Sequence, residues 1–175
     1  MEILYCFLAV IAIFVAVIII RTLRFKPAAQ PKILNDEITF DQNRSIYTLQ
    51  QLIRCKTVSY YDATLEDDNE FKKLIELLPR LYPSVFKICE FMHLPDRALL
   101  FKWCGKNADN PTVLMAHYDV VPVDEKSWQK PPFDAVIEDG VLWGRGSLDT
   151  KVTFNAVLFA AENLIEKGFI PQNDI

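Results

Sequence analysis

The chain has 175 residues, 51% of them hydrophobic, and a formal net charge of −4. That length suits one ordinary domain, with apolar content left over for a segment outside its core. Arg21, Arg24 and Lys26 all sit near the N-terminus, so the remainder is more acidic still and no nucleic-acid partner is expected.

Residues 3–20 carry no charge and no strongly polar side chain. About 20 such residues cross the hydrocarbon core of a bilayer. A secretory signal would place positive charge before the apolar run and a small-residue cleavage site after it. Here Glu2 precedes the run, the cations follow it, and Ala28-Ala29 forms no A-x-A pattern. The expectation is an uncleaved single-pass anchor, with residues 3–20 in the lipid bilayer. The cations on its C-terminal side place the following domain in the cytoplasm. The Asn43-Arg44-Ser45 sequon points the other way.

Residues 21–40 read as a juxtamembrane linker, because Pro27 and Pro31 interrupt any helix between Lys26 and Ile38. The domain itself spans 41–175. Asp41 caps a helix from Gln42 to about Lys56, with Ile46, Leu49, Leu52 and Ile53 on one face. A second helix runs from Asp67 to Leu81; Pro79 tightens its last turn and Pro83 closes it. Val85 to Phe91 and Ala98 to Cys104 read as neighbouring antiparallel strands about a Pro95-Asp96 turn. Thr112 to Ala116 is apolar throughout, which predicts a central strand buried on both faces. Asp139-Gly140 between two apolar triplets predicts a hairpin. A helix from Thr150 to Lys167 follows, with Phe154, Val157, Leu158, Ala161, Leu164 and Ile165 inward and Gly168 ending it. Phe169 to Ile175 leads toward a further strand. Interleaved helices and strands give an α/β layered domain.

The four cysteines, Cys6, Cys55, Cys89 and Cys104, show no paired C-x-x-C spacing. Cys55, Cys89 and Cys104 read as buried thiols, and two of them can pair if the domain faces an oxidising compartment. Cys104 as a nucleophile has nothing tying His93 or His117 to it.

His117 and Asp119 lie at i and i+2 after the apolar run, so an extended backbone puts both on one side. An imidazole that binds zinc through one nitrogen needs an acceptor for the other, which Asp119 is placed to supply. H-x-D alone, however, is commonly a hydrogen-bonded histidine at a strand end. Gly144 and Gly146 flank Arg145 in a tight turn leading to Asp149. Asp149 reads either as a ligand or as a cap for the next helix. The turn lacks the G-x-x-x-x-G-K-[ST] pattern and the third glycine of a dinucleotide loop, which argues against nucleotide binding.

Taken in order, His117-Tyr118-Asp119-Val120-Val121-Pro122, then Trp128 before Pro131-Pro132-Phe133, then Asp139 to Lys151 (DGVLWGRGSLDTK), resemble the M20 family of zinc metallopeptidases and amidohydrolases. The likeness is strongest to its carboxypeptidase S-like branch, which includes N-acyl-amino-acid hydrolases. It covers residues 110–168 and extends weakly back to the 42–56 helix and Thr57-Val58-Ser59.

The resemblance implies the N-terminal part of a three-layer αβα zinc-hydrolase catalytic domain. It implies two Zn2+ ions per complete domain, with His117 binding one, Asp149 bridging both, and Asp119 in the catalytic set as the carboxylate that orients His117. Arg145 and Lys151 would serve structure. Thr150 stands where some members carry a second acidic residue. The general base and remaining ligands of the family follow later strands, so this segment alone is expected to be inactive. The implied substrates are short peptides or N-acyl amino acids, with a homodimer only in a full-length form. The alternative is a membrane-tethered, non-catalytic binding module.

Overall fold

A computed structural model describes residues 1–26 and 39–175, so the spacer over 27–38 lies outside the described residues. The chain divides into two compact units, the first built on one helix and the second running from Thr39 to Ile175.

The first unit is α1 (Glu2–Arg24), an unbroken helix with no buried residue. At 1.5 Å per residue it is about 34 Å long, enough to match a hydrocarbon core. By length and composition it is the one described helix that can cross a membrane.

The second unit starts with α2 (Gln42–Ile53), whose cap Asp41 accepts from the Arg44 N–H at 2.9 Å. Leu52 and Ile53 turn inward at its end. α3 (Asp68–Leu81) is capped by Asp67 and buries Phe71, Leu74, Leu78 and Leu81 along one stripe. Pro79 sits inside its last turn.

α3 ends at Leu81, before Pro83, as expected, but Pro83 also opens a helix: α4 spans Pro83–Ile88, where the alternation of apolar residues suggested a strand. Proline is favoured at a first helical position because its missing N–H is unneeded there. The next two N–H groups, of Ser84 and Val85, donate to the Glu162 carboxylate at 3.0 and 2.8 Å. A carboxylate 77 residues away thus stabilises this turn through its dipole and orphan donors.

β1 (Glu90–His93) and β2 (Leu99–Lys102) pair antiparallel, Glu90 opposite Lys102 and His93 opposite Leu99. β3 (Val136–Glu138) and β4 (Val141–Trp143) form the expected hairpin, with Asp139 and Gly140 at φ 51° and 76°. Two positive φ values match the twist of the flanking strands. The α/β character stands, and the described ladders form two separate two-stranded sheets.

Thr112 to Ala116 forms no regular element and joins neither sheet, and Val113, Leu114 and Met115 are 73%, 55% and 84% exposed. The expected burial on both faces is absent because a strand is covered only when neighbours flank it. Thr112 N–H reaches the Asp174 carbonyl at 2.9 Å, and Trp103 exchanges both backbone hydrogen bonds with Ile175. Residues 173–175 are thus tied to the segment that follows β2 through an isolated bridge, and the expected strand does not form among the described residues.

α5 (Lys151–Glu166) ends as expected: Gly168 takes φ 73°, and the Phe169 and Gly168 N–H groups reach back to the Leu164 and Ile165 carbonyls. Its buried stripe differs. Lys151, Asn155 and Glu162 are buried with Phe154, Leu158 and Phe159, whereas Leu164 is exposed. Polar burial is tolerated where each group is paired. Asn155 Oδ1 accepts from Tyr82 Oη at 2.7 Å and Thr48 Oγ1 at 2.6 Å, joining α5 to α2 and to the α3–α4 junction. Among the cysteines only Cys55 is buried; Cys89 is half-buried, Cys104 exposed, and all are free thiols.

Candidate metal centre

The Tyr118 side chain is the anchor of the His117 segment. It packs against Phe71 and Phe154, with ring centroids 6.1 and 5.7 Å away, and its hydroxyl donates to the Arg97 carbonyl. In an extended backbone, turning Tyr118 inward turns His117 and Asp119 outward. The next residue is held too: Val120 N–H donates to the Thr57 carbonyl at 2.8 Å, and Ser59 N–H to the Val120 carbonyl at 2.9 Å. Thr57 Oγ1 also donates to the Tyr118 carbonyl at 2.6 Å.

The Asp149 segment follows β4. Gly144 lies so close to Ile53 that a Cβ would meet its Cγ2 at 2.7 Å. Gly146, at φ 89°, lies under Val120, where a Cβ would meet Cγ1 at 2.9 Å. Arg145 donates its N–H to the Pro132 carbonyl and sets its guanidinium 5.0 Å over the Trp128 ring. The peptide joining Asp149 to Thr150 is cis. Thr150 occupies the cap position of α5 without a side-chain bond, so Asp149 is not engaged as the helix cap.

These two segments meet. His117 Nε2 lies 3.3 Å from Asp149 Oδ1. On the other side of the ring, Nδ1 faces Asp119 Oδ1 at 3.0 Å and the Asp119 carbonyl at 3.1 Å. Both partners of Nδ1 are acceptors, and so is the Asp149 oxygen facing Nε2. A ring protonated on Nδ1 alone would turn the Nε2 lone pair toward that carboxylate, leaving room for a cation between two ligand atoms. Zinc bonds to nitrogen and oxygen are about 2.0–2.2 Å, so two ligands of one tetrahedral ion stand roughly 3.3 Å apart. The donor pair fits one edge of such a site. Among the described residues no group of three or more His, Cys, Asp or Glu side chains is arranged to hold a metal ion by itself, since Asp119 lies on the far side of the His117 ring.

Residues 113–175 match the family model described as Peptidase family M20/M25/M40. The structure is similar to an M20 family metallo-carboxypeptidase from Sulfolobus solfataricus at TM-score 0.56 and 28% identity, covering 74% of this chain and 28% of that one. The chain has the M20-family peptidase fold.

Several carboxypeptidase S-like proteins are similar to this chain. A probable carboxypeptidase S-like 2 of Dictyostelium discoideum is 32% identical over 169 residues, which is 90% of this chain and 32% of that protein. A human N-fatty-acyl-amino acid synthase/hydrolase is 37% identical over 106 residues, 59% of this chain and 20% of that protein. The chain spans about a third of the length of the first curated relatives it matches.

In this M20 fold, a cleft of about 420 Å³ opens beside the pair, lined by Ser59, Phe71, Arg97, His117, Tyr118 and Asp119. Two residues that the motif reading set aside lie behind the pair, outside the lining of the cleft. Lys151 is fully buried, and desolvation pulls its ammonium down to about 8. Its Nζ donates to the Leu52 and Cys55 carbonyls at 2.9 and 2.6 Å. Thr57 carries no sequence signal beyond its place in Thr57-Val58-Ser59, because its partners lie 61 residues on.

Proposed function

We propose that this chain forms part of a zinc-dependent hydrolase that cleaves amide bonds in short peptides or N-acyl amino acids. The observation that supports it is the His117–Asp149 approach at 3.3 Å with Asp119 behind the ring. In this reading His117 and Asp149 hold zinc, with Asp149 shared between two ions. Bound zinc in such sites acts as a Lewis acid and lowers the pKa of coordinated water. Asp119 keeps the proton on Nδ1 and so keeps Nε2 available as a ligand. The neighbouring cleft receives the substrate. The carboxypeptidase and N-fatty-acyl-amino acid names of similar proteins support that substrate class. Residues 3–20 anchor the protein in a bilayer, residues 21–40 link, and residues 41–175 make up the N-terminal portion of the catalytic domain. The flanking cations favour a cytoplasmic domain.

The test is zinc content and hydrolysis of an N-acyl amino acid by the longest natural form of the protein. Two zincs per chain and release of the free amino acid are expected, both lost in Asp149→Ala. Metal analysis that finds none in a folded protein overturns the reading. A second reading, a membrane-tethered binding module without catalysis, draws on the donor count, two where a catalytic zinc takes about three protein ligands. It is favoured if the folded protein binds an N-acyl amino acid and leaves it intact.

A further inference from the structure

We infer that Lys151 is a positioning residue that sets the His117–Asp149 distance through the C-terminal end of α2. The inference rests on reading that pair as metal ligands.

Both segments of the pair hang on the same short stretch, Leu52 to Thr57. On the Asp149 side, Lys151 follows two residues later and sends its Nζ to the Leu52 and Cys55 carbonyls. These are carbonyls of a helix end and of the turn after it, where each accepts a single-turn backbone bond, from Cys55 N–H and Thr57 N–H, and a cation is favoured. The lysine stem runs beneath the Gly-rich turn: a Cβ on Gly146 would meet Lys151 Cδ at 3.1 Å. On the His117 side, Thr57 takes over directly. Its N–H donates to the same Cys55 carbonyl at 2.9 Å. Its hydroxyl and carbonyl then bind the Tyr118 carbonyl and the Val120 N–H at 2.6 and 2.8 Å. The Cys55 carbonyl is therefore shared by both arms.

Burying an ammonium without a carboxylate partner is costly, and a methionine would fill the same volume. What the ammonium adds is two hydrogen bonds of fixed length between the Asp149 turn and α2. Those bonds set where Asp149 stands relative to a histidine held by the same helix end.

The experiment uses the full chain in detergent micelles with 15N-histidine. The sequence has two histidines, and exposed His93 on β1 serves as the internal reference for His117. Lys151→Met is expected to move the His117 ring nitrogen resonances while His93 stays. It is expected to weaken Co2+ binding, read from the visible spectrum, about 10–100-fold, the usual effect of losing a group that supports a ligand. Leu78→Ala, a core cavity in α3, is the control: it lowers the melting temperature and leaves His117 in place. Unchanged His117 resonances in folded Lys151→Met overturn the inference, as does an equal displacement in Leu78→Ala. Should Lys151→Met fail to fold, Thr57→Val cuts the other arm, and an unmoved His117 there overturns it too. If the wild-type chain takes up no Co2+, the metal reading fails, and the metal-free His117 resonances still decide the role of Lys151.

Discussion

Asp119 engages His117 Nδ1 twice, through its carboxylate at 3.0 Å and through its own backbone carbonyl at 3.1 Å. The backbone contact survives any substitution of the side chain. Asp119→Ala should therefore keep the ring tethered but lose the charged acceptor that raises its basicity. Zinc affinity is expected to fall about 10–100-fold, less than the loss in His117→Ala. Competition with a chromophoric chelator measures both, and equal losses would show that the carbonyl holds nothing.

Gly146 and Gly140 both take positive φ, yet only Gly146 is crowded. Gly140→Ala meets open space and should cost about 1–2 kcal/mol for the left-handed backbone alone. Gly146→Ala adds a clash with Val120, the residue after Asp119, and should cost more, in the range of about 1–3 kcal/mol or above. Urea unfolding midpoints rank the two, and a larger loss at Gly140 contradicts this placement.

Glu66 accepts from Arg97 and from the Tyr60 N–H, and the Arg97 guanidinium holds its carboxyl below the ordinary value of 4.5. A depressed carboxylate contributes stability above the unfolded pKa and loses it as pH falls through the folded one. Stability should thus decline below about pH 4.5, and Glu66→Gln should flatten that decline. Denaturant titrations down to about pH 3 read the slope; an unchanged slope removes Glu66 as a contributor.

β2 leaves a strand edge open. The Leu94 N–H bonds the Ala98 carbonyl, so in this register Met92–Leu100 and Glu90–Lys102 are the hydrogen-bonded pairs. The backbone groups of Leu99 and Phe101 then point away from β1, into an apolar groove of about 800 Å³ between β2, Leu114 and Leu158. Exposed edges beside apolar surface favour association. Residues 39–175 expressed alone should self-associate, and Leu114→Lys should reduce it. Sedimentation velocity decides, and a monomer at high concentration refutes the expectation.

Much of the local structure was legible in the chain itself. Asp41 caps its helix, Asp139-Gly140 makes its hairpin, and Gly168 ends α5, because each depends on hydrogen bonds and φ values within a few residues. The outward placement of His117 and Asp119 also followed from period-two backbone geometry. Tertiary structure decided what lay across long separations. Glu162 turned Pro83–Ile88 into a helix from 77 residues away, against its alternating pattern. Lys151 found its carbonyls 99 and 96 residues back, a burial that no periodicity announces because its cost is offset only by those distant partners. The apolar run from Thr112 to Ala116 is the opposite case. Its composition asks for burial on both faces, but a strand is buried only by what packs beside it, and that is a property of the assembled fold.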